Sequence, residues 1–381
     1  MNDQNPHLIR IDLGTAAGGA WTFATPAVEL PEPWSGIAGR ELPATVPGEV
    51  YADLLAAGEI PDPFDGDNES LLSWIGRTPW RYRTTFGFDA ARVAGRRHEL
   101  VAEGLDTVAV VRLNGTEVGR TANQHRGYRF DVTSVIRDGA NELEIDFEPP
   151  VDAAERLEAE LGPRPHGYPH PYNAIRKAAS SYGWDWGPDL AGVGVWRPIG
   201  IESWQDVRIA AVRPLANPRP AGGGVLQAHV DLDWAEGATA PVSVTVEIGG
   251  RRSVREVPPG TDTIMIEVEV PDAELWWPVG YGEQPLYPVT VTAGTSAGAT
   301  RDTWHGRVGF RTIEISTAPD RTGSEFVIIV NGRRTYIKGA NWIPDDALIT
   351  RTDRETYRNS IMDAVEAGMN LLRVWGGGFY E

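Results

Sequence analysis

Tyr182-Gly183-Trp184-Asp185-Trp186-Gly187-Pro188 places a carboxylate between two indoles, with a glycine on either side of the triplet. That spacing is too irregular for a buried strand, and it suits a sugar. An indole covers the apolar face of a pyranose ring while Asp185 accepts two hydroxyl hydrogen bonds. A structural tryptophan cluster, with Asp185 capping a turn, is the competing reading. Two further strings mix aromatic and polar residues: Lys338-Gly339-Ala340-Asn341-Trp342-Ile343-Pro344-Asp345-Asp346 and Arg373-Val374-Trp375-Gly376-Gly377-Gly378-Phe379-Tyr380-Glu381. Each lies at the C-terminal end of an expected parallel strand. In a βα-barrel that end carries the active site, which makes Asn341, Trp342, Arg373 and Trp375 site candidates by position. Core aromatics closing the barrel are the alternative for either Trp.

Other chemistries lack their residues. There is no G-x-x-x-x-G-K-[ST] and no G-x-S-x-G, and Gly192-Val193-Gly194 runs into Trp196-Arg197 where a dinucleotide fingerprint needs another glycine. With Cys at zero, no disulfide, thiolate metal site or Cys nucleophile is available. His166 and His170 sit in a Pro-rich loop without zinc-site spacing, so neither a metal nor a cofactor is expected. The 35 Lys+Arg against 53 Asp+Glu give a net charge of -18, which argues against nucleic acid or an anionic membrane as partner. The start of the chain does not read as a signal peptide and no run of 18 apolar residues occurs, so the expected setting is cytoplasmic. Oligomeric state is left open. Trp, at 14, outnumbers Tyr at 11 and Phe at 9, which leans towards sugar-stacking surfaces. Lys177 and Lys338 are the only lysines, a bias that reads first as codon usage.

The elements that must position these residues read as mainly β. Gly 43 and Pro 29 imply many turns and short strands. Strands are expected over His98–Val101, Thr107–Leu113 and Asn141–Phe147, with a two-residue Asn114-Gly115 hairpin, and helices over Val50–Ala57 and Asp152–Leu161. A second all-β segment holds strands at Val225–Asp233, Val242–Ile248, Ile264–Val270 and Leu286–Val291, a Gly249-Gly250 hairpin and a loop over Ala216–Gly224. Beyond Ser316 the pattern becomes a hairpin over Phe326–Val330 and Arg334–Lys338, a helix capped by Thr352 and Glu355 and ended by Gly368, and a strand over Asn370–Val374. One βαβ unit cannot cover both faces of a parallel sheet, so the sequence is expected to stop inside a third domain.

Together these strings resemble the β-mannosidase branch of glycoside hydrolase family 2, over essentially the whole chain. The early matches are Val46-Pro47-Gly48, Ala57 to Phe64 and Asn68-Glu69 through Trp74-Ile75. The middle matches are His170-Pro171-Tyr172-Asn173-Ala174-Ile175-Arg176-Lys177, Gly183 to Pro188 and Gly194 to Ile199. Leu275-Trp276-Trp277-Pro278, Val308-Gly309-Phe310-Arg311, Ile337 to Pro344 and Asn370 to Glu381 complete the set. Trp-Trp-Pro and Gly-Phe-Arg mark the family broadly, whereas Gly-Trp-Asp-Trp-Gly-Pro with Arg-Val-Trp-Gly-Gly-Gly is specific to the mannosidase-like branch.

The resemblance implies a jelly-roll-like, galactose-binding-like β-sandwich over 1–205, an immunoglobulin-like β-sandwich over 206–315 and the incomplete start of a (β/α)8 TIM barrel over 316–381. It implies retaining removal of terminal non-reducing β-D-mannose, with a β-mannoside oligosaccharide as partner and no cofactor. The acid/base and nucleophile glutamates are expected beyond residue 381, so no catalytic residue is assigned and this chain alone is expected to be inactive. Substrate-binding positions carried over are Asp185 and Trp184, Trp375, Arg373 near the nucleophile, and then Asn173, Trp342 and Glu381. A noncatalytic carbohydrate-binding protein, or a family 2 enzyme for β-glucosaminide, β-galactoside or β-glucuronide, remains the alternative.

Overall fold

The computed structural model describes residues 8–26, 28–93 and 96–379. They form two compact units. One is built from Arg10–Ser203, Trp342–Tyr357 and the residues from Val374 onward; the other from Trp204–Asn341 and Arg358–Arg373.

In the first unit twelve strands and three helices follow one another. The strands are β1 (Ile9–Asp12), β2 (Trp21–Ala24), β3 (Leu42–Ala44), β4 (Trp80–Phe88), β5 (Arg97–Ala102), β6 (Val108–Leu113), β7 (Thr116–Ala122), β8 (Tyr128–Asp131), β9 (Gly139–Phe147), β10 (Tyr182–Trp184), β11 (Gly187–Asp189) and β12 (Ile199–Trp204). Helices α1 (Val50–Ala56), α2 (Asn68–Leu71) and α3 (Pro150–Leu161) interrupt them. A six-stranded antiparallel sheet has the order β3-β2-β4-β9-β6-β7, and a four-stranded sheet the order β1-β12-β5-β8. Period-2 alternation sorts the six-stranded sheet's residues by face. On β4, Trp80 and Tyr82 turn inward, with Phe23 5.6 Å and 5.7 Å from their rings, while Arg81 and Arg83 turn outward onto Asp146 and Glu144 of β9. Strand β12 is buried along its whole length and β5 along all but its first residue, so both faces of these strands are covered. The expected helices are present, α3 beginning two residues early because Pro150 suits the first helical turn.

The second unit holds two antiparallel sheets. Strands β13 (Val207–Pro218), β14 (Gly224–Trp234) and β17 (Thr263–Val270) form one; β15 (Val242–Ile248), β16 (Arg251–Val257), β18 (Tyr287–Thr295) and β19 (Thr300–Val308) form the other, in the order β16-β15-β18-β19. Their inward residues, among them Leu226, Val230, Val244, Val246 and Val291, form one core with Phe310, which follows β19. Each such aliphatic side chain contributes roughly 1.5–3 kcal/mol on burial. The expected Ala216–Gly224 loop is shorter than its Pro and Gly content suggested: β13 pairs with β14 as far as Pro218–Gly224. Pro214 and Pro218 are tolerated because β13 is an edge strand with no second neighbour to receive its N–H groups.

All three Gly-containing hairpin turns appear where expected. Asn114-Gly115, Gly249-Gly250 and Asn331-Gly332 each form a two-residue loop with both residues at positive φ, the primed turn geometry that those residue types allow. After the sheet of β20 (Ile313–Ser316), β21 (Val327–Val330) and β22 (Arg333–Thr335) come β23 (Gly339–Trp342), α4 (Arg354–Glu366) and β24 (Leu371–Val374). Hydrogen bonds from Asn370 N–H to the Lys338 carbonyl and from Trp375 N–H to the Trp342 carbonyl climb both strands in one direction, so β23 and β24 are parallel. The expected second hairpin strand, Arg334–Lys338, is shorter, β22 stopping at Thr335, and the Gly339–Trp342 run that follows it forms β23. The cap of α4 is Asp353 rather than Thr352. Its Oδ1 accepts the Thr356 N–H at 2.8 Å, whereas Thr352 is extended. Among the described residues no helix is long and apolar enough to cross a membrane.

Candidate functional site

The Gly183–Pro188 string is a hairpin. Strands β10 and β11 pair Tyr182 with Asp189 and Trp184 with Gly187, which leaves Asp185 and Trp186 as the two-residue tip. Gly183 adopts φ +80, a conformation that L side chains avoid, and a Cβ there would stand 3.3 Å from that of Asp189. Tyr182 anchors the base, buried with its hydroxyl donating to the Pro150 carbonyl at 2.9 Å. At the tip, the Asp185 N–H donates to the Tyr168 hydroxyl at 2.9 Å, and the Asp185 side chain is exposed.

Trp184 is half-buried among other rings. Its centroid lies 4.3 Å from Tyr168, 5.4 Å from Tyr172 and 4.9 Å from Trp375, the last two with edges turned to faces. Trp186 meets the same Trp375 at 5.6 Å and 81°. Edge-to-face pairs at these separations contribute about 0.5–1.5 kcal/mol each beyond burial. Two strings separated by nearly two hundred residues thus share one aromatic cluster, with the exposed Asp185 carboxylate at its rim.

Trp375 is delivered by β24. Its N–H donates to the Trp342 carbonyl at 2.8 Å, and the Ser180 N–H donates to the Gly377 carbonyl at 3.1 Å. The glycine run has a steric reason rather than a phosphate-binding one: a Cβ on Gly377 would stand 2.1 Å from the Trp375 ring. Gly377→Ala is expected to push the indole aside at a cost of about 1–3 kcal/mol. The measurement is the near-ultraviolet circular dichroism of the tryptophans, and an unaltered spectrum would contradict the packing. Beside Trp375 opens a cleft of 510 Å³ whose lining includes His125, Arg176, Trp196, Arg197 and Phe379.

The remaining candidates place their side chains elsewhere, Trp342 reaching the cluster only through its carbonyl's bond to Trp375. The Trp342 indole N–H donates to Asp345 at 3.3 Å, and its ring lies 6.1 Å from that of Tyr357. Asn173 is exposed and its amide donates to the Pro165 carbonyl at 3.0 Å, which gives it a role in shaping its own loop. In the other unit Arg373 is exposed and donates to Asn341 at 3.1 Å. Glu381 lies outside the described residues.

Sequence reasoning missed two polar clusters. Lys177 is buried and donates to the carboxylate of Asp106 and to the Gly192 carbonyl at 2.9 Å. Glu49, just before α1 and also buried, accepts from Thr350 at 3.4 Å; burial pushes its carboxyl up to about 8, with Lys177 opposing and Asp106 reinforcing the shift. In the second cluster His170 Nε2 meets Asp189 Oδ2 at 2.8 Å, and the Asp189 N–H donates to Glu69 at 2.8 Å. Lysine rarity was the one available signal, and it separates once folded: Lys177 is buried and Lys338 exposed.

Residues 21–197 match the glycosyl hydrolase 2 galactose-binding domain-like family, and residues 207–311 match glycosyl hydrolases family 2. A β-mannosidase of Rattus norvegicus is 31% identical over 98% of this chain. The crystal structure of a β-D-mannosidase from Dictyoglomus thermophilum superposes with a TM-score of 0.88 at 32% identity, again over 98% of the chain. An exo-chitosanase from Amycolatopsis orientalis, at 20% identity and a TM-score of 0.73, shares the fold. The chain spans 45% of the length of the rat relative and 45% of the Dictyoglomus one. By these matches to both of its β-sandwich domains and to its β-mannosidases, the chain belongs to glycosyl hydrolase family 2.

Proposed function

We propose that this chain supplies the sugar-positioning part of a retaining β-mannosidase that removes terminal non-reducing β-D-mannose. The observation that carries the reading is the meeting of Trp184, Trp186 and Trp375 in one cluster, with Asp185 exposed between the first two in the chain. Indoles offer faces and edges to the apolar side of a pyranose, and Asp185 offers two acceptors to neighbouring hydroxyls. The names of the relatives support mannose as the sugar. Retaining hydrolysis needs two carboxyl groups about 5–5.5 Å apart, one as acid/base and one as nucleophile. The family resemblance implies that both stand on barrel strands later than β24, and on this reading the 381-residue chain by itself is expected to bind the sugar without hydrolysing it.

Two measurements test this. The purified chain is expected to release no p-nitrophenol from p-nitrophenyl β-D-mannoside, and turnover by it would end the division of labour proposed here. In a form of the protein long enough to hydrolyse that substrate, Asp185→Ala is expected to lower kcat/KM roughly 10- to 100-fold, the worth of hydrogen bonds to a charged group. Unchanged mannoside kinetics would remove Asp185 from the site.

A further inference from the structure

We propose that His170 is a positioning residue for the Asp185 hairpin: its imidazole, bonded to Asp189, ties the Pro-rich segment 163–172 to β11 and so sets where Asp185 and Trp184 stand. The inference rests on the preceding reading for the identity of the sugar, and on local geometry for the tie itself.

Three residues within a span of five make the tie. Tyr168 accepts the Asp185 N–H at 2.9 Å and packs its ring, tilted by 35°, 4.3 Å from that of Trp184; Tyr172 meets the same indole edge-to-face at 5.4 Å. Tyr168 thus touches the tip of the hairpin, and both rings touch Trp184 just before it. His170, between them, holds its base, 2.8 Å from Asp189, whose cross-strand partner is Tyr182. Asp189 is itself held from the far side, its N–H donating to Glu69 of α2 at 2.8 Å. Without the His170 bond, the segment keeps the Tyr168 hydrogen bond and its ring contacts near the tip but loses its polar attachment to the base of the hairpin. A two-residue tip that carries its ligand contact on one short side chain tolerates little such play, since a shift of about 1 Å is enough to lose a positioned interaction.

The bond is also sensitive to charge. The groups around His170 and its partner are Asp189 of β11, Glu155 of α3, Arg77 after α2, Tyr51 of α1, which lines the same cavity, Glu69 of α2 on Asp189, and the Tyr182 ring of β10, 5.9 Å away. Arg77 is already engaged by Asp152 at 2.8 Å and Glu155 at 2.6 Å. The bond to Asp189 raises the His170 pKa, against the opposing effect of burial. Below that pKa the tie is a charge-assisted bond; as pH rises through it, a neutral hydrogen bond about half as strong remains.

Amide hydrogen exchange of the 381-residue chain tests the proposal, read on the segment 182–189 at pH 6 and pH 8 and corrected for intrinsic rates. The wild-type segment is expected to be roughly five- to tenfold better protected at pH 6 than at pH 8. His170→Ala is expected to abolish that difference and to lower protection at pH 6 by about tenfold. His170→Gln keeps a neutral donor towards Asp189, so it should restore protection to the wild-type pH 8 level and hold it at both pH values. Peptides from β4 and β9, in the same unit, serve as the folding control at both pH values and should exchange as in the wild type. Wild-type protection and pH dependence in His170→Ala would overturn the proposal. So would a His170→Gln protein as unprotected as His170→Ala, since ring packing on Tyr182 would then be what matters.

Tryptophan fluorescence titration of the same proteins with methyl β-D-mannopyranoside separates the two readings. Affinity is expected to fall in parallel with protection. If the wild type binds no mannoside while the exchange results hold, the sugar reading fails and the positioning role stands. If mannoside binds equally to all three proteins, the positioning role fails and the sugar reading stands.

Discussion

Lys177→Ala is expected to destabilise the sandwich that carries it by about 3–5 kcal/mol, the usual consequence of removing one partner from a buried ion pair. The Lys177 side chain is 2% exposed and that of Asp106 8%, so solvent cannot replace the lost partner. Deletion of the ammonium also leaves the Gly192 carbonyl without its bond. The cost arises from the carboxylate left behind rather than from the pair's net worth. Replacing both residues, as in Lys177→Met with Asp106→Asn, should therefore recover most of the loss. Urea unfolding followed by tryptophan fluorescence reads both proteins. A loss under about 1 kcal/mol for Lys177→Ala, the range of exposed pairs, would show that water reaches the site.

Glu49→Gln is expected to be the more stable protein at pH 8, by a margin that grows from near zero at pH 5. The Glu49 carboxyl is held at about 8 in the fold against 4.5 for an ordinary glutamate, principally by burial. Because the folded pKa is the higher one, the neutral acid favours the fold fully below about 4.5, and that contribution is lost as pH rises towards 8. The loss is at most about 1.4 kcal/mol per pH unit, on the order of 4–5 kcal/mol across the window. Glutamine keeps the shape and an acceptor for Thr350 but cannot ionise, so its stability lacks this slope. Other titrating groups, Asp53 and His170 among them, are common to both proteins and cancel in the comparison. Equal pH slopes between 5 and 8 would show that Glu49 is not shielded from water.

Lys177, Asp106 and Glu49 also mark where reading along the chain stops being sufficient. Lys177 and Asp106 are 71 residues apart, and Thr350 lies 301 residues from Glu49. No period or motif announces such a pairing. His170 illustrates the same limit: its place in the His170–Lys177 string was noticed, but Asp189 as its partner depends on how the hairpin folds back. The helix cap shows a finer limit, since Thr352 and Asp353 are both good caps by type and only the reach of Asp353 to the Thr356 N–H distinguishes them.

Sequence alone determined the pieces whose chemistry is local. The Asn-Gly and Gly-Gly hairpins, the alternating strands of both sandwiches, the helix ended by Gly368 and the glycine-flanked Trp184-Asp185-Trp186 tip depend on residues within a few positions of one another. Membership in the family was legible for the same reason, because its motifs are short strings. Tertiary structure alone decided that Trp184 and Trp186 meet Trp375, that Asn173 and Arg373 are spent on Pro165 and Asn341, and that one of two lysines is buried against an aspartate. Those outcomes depend on which distant surfaces exclude water together, and burial and charge pairing are properties of the assembled core rather than of any segment.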